Sequence, residues 1–300
     1  MVGARPSLGG VHAVLYALFD ARAALDSGAM RAQTQFVVES GVRGVSVLGL
    51  ATEADKLASE ERRDIVARVA AEVGGRLPYS VAAGGDTVKE QREAARFAAD
   101  HGADLIILRP PAVEFCGEGG VLDFLLRVAD GFDCRFAVQN APRYLGRSLS
   151  RGDLLRLRRA NPNFDVVKSE TDALEIAALA GEAGDAIDVL GGRGGLEMTD
   201  SLRAGARGFV IAPDVADYAQ RVCDVFGAGD YDEAERIYGL LLPVIVFVMQ
   251  SVEHLVCYGK RVFGLRSGIS VYDRAPALAP TEFGLFLVEQ KALALAEIGK

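Results

Sequence analysis

Lysine is scarce in this 300-residue chain. Of its 33 basic side chains only six are lysines, at positions 56, 89, 168, 260, 291 and 300, and arginine supplies the rest. Cysteine is sparse too: Cys116, Cys134, Cys223 and Cys257 stand far apart and make no C-x-x-C. That disfavours a disulfide framework or a zinc site and fits a reducing cytoplasm. The three histidines, His12, His101 and His254, have no metal-ligand spacing, so no metal is expected. No apolar run is long enough to span a bilayer; the longest, residues 240–249, contains Pro243. The early stretch "VHAVLYALF" lacks a basic leader and a cleavage site, and reads as a first strand rather than a signal peptide. A net charge of −8 argues against nucleic acid or an anionic membrane as the main partner. A soluble, cytoplasmic protein is expected.

Half of the residues are apolar and a quarter charged, enough to bury a large core. Short apolar runs at 11–19, 44–50, 79–84, 103–109, 135–142, 164–170, 186–192 and 207–213 alternate with segments of helical spacing, such as "SEERRDIVARVAAEV". Continuously apolar strands joined by helices indicate a parallel sheet covered on both faces. Eight such units predict a (β/α)8 TIM barrel over residues 1–228, followed by a C-terminal helical extension over 229–300 packed on the barrel. A doubly wound sheet is the alternative, but no G-x-G-x-x-G follows an early strand.

In such a barrel the chemistry sits at the C-terminal ends of the strands. There stand "GLATE" (49–53), residues 109–112, "QNAPRY" (139–144), "KSE" (168–170), "GGRGG" (191–195) and "APD" (212–214). Lys168 directly follows the apolar pair Val166 and Val167. A buried lysine loses hydration of its ammonium, which favours the neutral amine needed to attack a carbonyl. Arginine stays protonated and cannot do this. Two readings remain open: a Schiff-base lysine, or one that snorkels to the rim and pairs with Glu170 or Asp172. Likewise "GGRGG" is either an anion cradle with Arg193 as the contact, or a turn with Arg193 in solvent. Glu53 is either catalytic or a helix-start carboxylate. Tyr16 reads as core.

The ordered set of motifs resembles the dihydrodipicolinate synthase/N-acetylneuraminate lyase family. "GLATEADKLASEER" is similar to its G-T-T-G-E and L-S-x-E-E-R segment, "VQNAPRYLG" to its Y-N-x-P segment, and "VVKSETD" to its Schiff-base lysine segment. "VLGGRGG" and "LRAGARGFVIAP" are similar to its seventh and eighth strands, and "DRAP" (273–276) to an Arg-x-Pro near its C-terminus. The resemblance implies a class I lyase without metal or organic cofactor, a homo-oligomer (tetramer or dimer), in which Lys168 condenses with the keto group of a small 2-keto acid. By the same resemblance Gly192 is the pyruvate-contacting glycine.

The departures from the pattern are specific. The carboxylate-binding threonines become Leu50 and Ala51, leaving Gly49, the loop amides and the shifted Thr52 to hold a carboxylate. The strand-five relay tyrosine is Gln139, which cannot take a proton, and the second relay tyrosine is missing from Pro110-Pro111-Ala112. The family's substrate arginine aligns with Tyr144, which becomes the candidate proton carrier. Gln139 and Asn140 are expected to orient the substrate, and Arg193 to meet a distal anion. Dihydrodipicolinate synthesis itself is disfavoured. The expectation is aldol cleavage or dehydration of a 2-keto-3-deoxy sugar acid or related pyruvate adduct. The alternative is a non-catalytic keto-acid-binding barrel.

Overall fold

The computed structural model describes residues 8–112 and 120–298; Cys116 lies outside them. Eight strands, Gly10–Val14 (β1), Gly44–Val47 (β2), Tyr79–Ala83 (β3), Leu105–Leu108 (β4), Arg135–Asn140 (β5), Phe164–Ser169 (β6), Asp188–Gly191 (β7) and Gly208–Ile211 (β8), pair in chain order into a closed barrel. Every pairing is parallel, and β8 closes on β1. The (β/α)8 expectation holds. Strands such as β3 and β4 are buried at every position, as a sheet covered on both faces requires.

The connecting helices are Ser27–Glu39 (α1), Ser59–Val73 (α2), Val88–Asp100 (α3), Gly120–Ala129 (α4), the single turn Pro142–Leu145 (α5), Arg151–Ala160 (α6), Ala173–Ala183 (α7), Met198–Arg203 (α8) and Ala216–Gly227 (α9). Their starts are written in the sequence. Asp26, Thr87, Ser150 and Asp172 each accept a hydrogen bond from an amide of the first turn, and Thr87 forms a capping box with Glu90. Arg135, at the start of β5, ties the opposite end of the barrel together by pairing with Asp165 (3.0 Å) and Asp188 (3.1 Å).

The first strand is shorter than the predicted 11–19. It ends at Val14, yet residues 15–19 are all buried. Tyr16 exchanges backbone hydrogen bonds with the Gln33 side chain instead of a neighbouring strand, and its ring packs on Phe263. An apolar run buried under helices has the same composition as one buried in a sheet, so the pattern overshoots.

The C-terminal part contains Tyr231–Val248 (α10), Val252–His254 (α11), a π-helical turn Leu255–Gly259, Lys260–Ser267 (α12) and Glu282–Ile298 (α13). Among the described residues no single helix is long and apolar enough to cross a membrane; α10 and residues 252–267 meet that test only as a pair bent by 104°. Residues of α12 reach over the barrel mouth. Lys260, fully buried, ion-pairs with Glu53 and donates to the Ala17 carbonyl at 2.9 Å. Burial lowers its ammonium pKa, against which the Glu53 charge works.

Beside it Asp214 accepts the Tyr16 hydroxyl at 2.9 Å, and among the described residues its second oxygen is buried without a partner. Burial raises the Asp214 carboxyl to about 6, with Tyr16 working against the rise. Between roughly pH 4 and 6 the folded state therefore holds a proton that the unfolded state has released, so this group makes stability fall as pH rises through that window and level off above it. Asp214→Asn should remove that fall, read as the difference in urea midpoint between the two proteins across the window. The difference is needed because burial lowers His12 to about 4, and a histidine neutral in the fold gives the opposite slope at the same pH.

Candidate active site

Lys168 occupies the penultimate position of β6 and is only 4% exposed. It does not reach the rim. Its Nζ lies 2.7 Å from Glu170 Oε1, inside the barrel mouth, and the two side chains are almost equally buried. The other carboxylate oxygen accepts the Arg193 backbone N–H at 2.5 Å. Glu170 thus joins the lysine of β6 to the glycine-rich turn after β7. The turn needs glycine at 192: a Cβ there would lie 2.2 Å from Glu170 Oε2.

Arg193 takes a left-handed conformation (φ 51°), and its side chain is not in solvent. The guanidinium donates to Glu197 (3.3 Å) and to the Thr171 carbonyl (3.4 Å), and Tyr144 on α5 lies close to it. Its donors are therefore spent largely on the protein. The half-buried Tyr144 hydroxyl sits above the ordinary tyrosine range, because of burial first and the Glu170 charge second, with Arg193 opposing both. Lys168, Glu170, Arg193 and Tyr144 form one connected polar group.

At the end of β5, Gln139 stands level with Lys168 in the strand register. It is 2% exposed and, among the described residues, its Nε2 is buried without a partner. Asn140 is engaged differently from expectation: it donates to the Leu149 carbonyl (3.2 Å) and accepts the Leu149 N–H (2.8 Å), so it fixes the loop after β5 rather than presenting itself to a ligand.

After β2, residues Leu50–Thr52 make a 3-10 turn starting at Gly49. The amides of Thr52 and Glu53 bond back to Gly49 and Leu50, leaving Leu50 and Ala51 as the leading donors of the turn. The Thr52 hydroxyl, the shifted substitute, donates to the Leu15 carbonyl at 2.6 Å and is wholly buried. Glu53 follows with φ 54° and meets both Lys260 and Lys56, the latter at 2.5 Å. It is neither a helix-dipole residue nor exposed: it anchors α12 to the barrel. The sequence reading did not single out Lys260, although the rarity of lysine was the available signal.

A cavity of about 810 Å³ opens at this end of the barrel, walled by Leu48, Gly49, Leu50, Gly84, Arg109 and Gln139 among others, with Val256 and Pro276 from the C-terminal part also in its lining. Lys168 is not part of that wall. Among the described residues no group of three or more His, Cys, Asp or Glu side chains could hold a metal ion.

The family model for dihydrodipicolinate synthetases matches residues 7–280. The chain belongs to the dihydrodipicolinate synthetase family. It is 28% identical over 224 residues, 74% of this chain and 77% of the relative, to a 4-hydroxy-tetrahydrodipicolinate synthase of Pelobacter propionicus. Its fold superposes on a dihydrodipicolinate synthase from Rhodopseudomonas palustris with a TM-score of 0.86 at 22% identity, covering 98% of this chain and 100% of that one. A sialic acid aldolase of Ruminococcus gnavus superposes with a TM-score of 0.88 at 21% identity, covering 97% and 98%. That aldolase is also solved as a catalytic lysine mutant. Within the family this chain is a divergent member, given these low identities.

Proposed function

We propose that this protein is a class I lyase that forms a Schiff base between Lys168 and a 2-keto acid, and cleaves or dehydrates a 2-keto-3-deoxy sugar acid or related pyruvate adduct. The observation that carries the reading is the Lys168–Glu170 pair, a buried amine with a buried carboxylate at 2.7 Å. A protonated amine is not a nucleophile, and Glu170 is placed to accept its proton. The neutral Nζ attacks the keto carbon, a C–N bond forms, and the keto oxygen departs as water. The protonated imine then receives the electron pair of the breaking C3–C4 bond. The C4 hydroxyl gives up its proton as an aldehyde leaves, and the enamine takes a proton at C3 before hydrolysis returns pyruvate and the free lysine. Dehydration would pass through the same imine: a C3 proton leaves to give the enamine, whose electrons expel the C4 hydroxyl, protonated as it departs as water. Tyr144, close to both Arg193 and Glu170, is the proton carrier in this reading. The leading amides of the turn from Gly49 through Leu50 and Ala51 hold the substrate carboxylate, with Gly192 beside the bound keto acid. The kinship with a sialic acid aldolase that has a catalytic lysine supports the reaction class.

Borohydride reduction in the presence of pyruvate tests the reading: a mass increase for one reduced adduct, mapped to the Lys168 peptide, is expected. Absence of an adduct with pyruvate and with longer 2-keto acids would sink the imine. A keto-acid-binding barrel without turnover is the second reading. It is favoured by Gln139, which offers a buried donor where proton transfer is needed; it predicts ligand-induced stabilisation and no product from any sugar acid.

The Gly192 contact gives a separate test. Gly192→Ala would push the Glu170 carboxylate off both Lys168 and the Arg193 amide. A displacement of about 1 Å costs on the order of 10²-fold in rate, so the trapping rate with pyruvate should fall by about that factor. An unchanged rate would show that Glu170 does not prepare the lysine.

A further inference from the structure

Strand register places three side chains in one row across the barrel mouth. Leu108 of β4 pairs with Val138 of β5, and Gln139 of β5 pairs with Lys168 of β6. Arg109 follows Leu108 and so stands level with Gln139, making the row Arg109, Gln139, Lys168. In-register residues of parallel strands project to the same face. Neighbouring strands are ~4.8 Å apart, so the two ends of the row are roughly 10 Å apart at the backbone.

Each end has a distinct chemistry. Lys168 is the imine-forming amine in the function proposed above, on which this inference rests. Arg109 lines the same cavity as Gly49, Leu50 and Gln139. Its guanidinium lies against Gly84, where an added Cβ would be 3.0 Å from Nη2. Among the described residues its anionic partner is Asp55, at 3.2 to 3.4 Å, and the Asp55 side chain is 75% exposed. Such an exposed, long pair is weak and readily exchanged for a better acceptor. Between the two ends, Gln139 Nε2 is buried and, among the described residues, has no partner, a donor left open for a ligand oxygen. Arg193, the anion contact expected from the sequence, is by contrast held by Glu197 and the Thr171 carbonyl.

We propose that Arg109 is the specificity-determining residue that receives a second carboxylate on the substrate, several bonds from the keto carbon held at Lys168, with Gln139 donating to an oxygen between them. The preferred substrates are then 2-keto acids with two carboxylates, and a mono-acid of the same length leaves Arg109 facing an apolar chain end. No covalent step is added; Arg109 binds and does not react.

The test compares 2-oxoadipate with 2-oxohexanoate, six-carbon 2-keto acids that differ in the distal carboxylate. The readout is the concentration of each acid giving half-maximal borohydride trapping. The wild-type protein should favour 2-oxoadipate by about tenfold or more, the range of one charge-assisted hydrogen bond. In Arg109→Gln the ratio between the two acids should collapse towards one, and Arg109→Lys should recover part of it. A purely structural role for Arg109 would shift both acids together and leave the ratio standing. Equal half-trapping concentrations in the wild type, or a preference that survives Arg109→Gln, would overturn the proposal. If no acid is trapped at all, the imine reading fails separately, and calorimetric binding of the same two acids to the same three proteins decides on Arg109: a diacid preference lost in Arg109→Gln supports it, and no such loss overturns it.

Discussion

Lys168→Arg is expected to abolish the trapped pyruvate adduct while the protein stays folded. Lys168 is 4% exposed and faces the equally buried Glu170, whose second oxygen takes the Arg193 amide. Truncation to alanine removes the amine and also strands a buried carboxylate, a change that costs about 3–5 kcal/mol when no counter-charge remains. Loss of turnover in Lys168→Ala alone would thus have two explanations. Arginine keeps a positive charge for Glu170 but stays protonated and cannot form an imine. The informative pattern is no adduct in either variant, with thermal stability retained better in Lys168→Arg than in Lys168→Ala. An adduct that persists in Lys168→Arg would move the chemistry to another amine, and Lys260, the other deeply buried lysine, would be the first to map.

The second large effect concerns stability. Glu53→Ala should lower the unfolding free energy by about 3–5 kcal/mol, because it leaves Lys260, fully buried, with only the Ala17 carbonyl as acceptor. Chemical denaturation of the two proteins measures it. The contrast is Lys56→Ala. That side chain is 21% exposed and Glu53 keeps Lys260, so the cost should be nearer the ~1 kcal/mol of a surface pair. Replacing the pair together, Glu53→Leu with Lys260→Met, should recover much of the loss, since two matched apolar groups avoid the desolvation that the ion pair has to offset. A small effect of Glu53→Ala would mean that Lys260 readily gives up its proton, for which burial already lowers its pKa. The pair joins the end of β2 to α12 across 207 residues, so its loss should loosen the C-terminal helices from the barrel first. Faster amide exchange in α12 than in the strands would show this.

Much of the fold was legible because its determinants are local. The period of apolar residues distinguishes the strands from the helices, and Asp26, Thr87, Ser150 and Asp172 mark helix starts by hydrogen bonds spanning two or three residues. Where burial comes from a distant element the pattern overshoots: Tyr16 packs on Phe263 and Phe19 on Lys260 of α12 outside any regular strand, although the Leu15 amide still bonds to Ser46 of β2. The site was legible in its positions and less so in its contacts. Lys168 was placed at a strand end by its neighbours Val166 and Val167, and Gln139, Tyr144 and Gly192 by matching motifs. No local pattern indicates that Asn140 spends both side-chain groups on Leu149, or that Thr52 bonds to Leu15.

The sequence by itself determined the barrel and the strand that bears Lys168, because these follow from periodicity and residue type. Only the tertiary structure decided what each charge faces. Glu170 turns its carboxylate to Lys168, Arg193 is bound by its surroundings, Arg109 comes level with Lys168 two strands away, and Lys260 is carried by a π turn onto Glu53. The reason is physical. A buried charge is stable only with a partner, and closure of the barrel and the packing of the C-terminal helices bring that partner from a distant part of the chain.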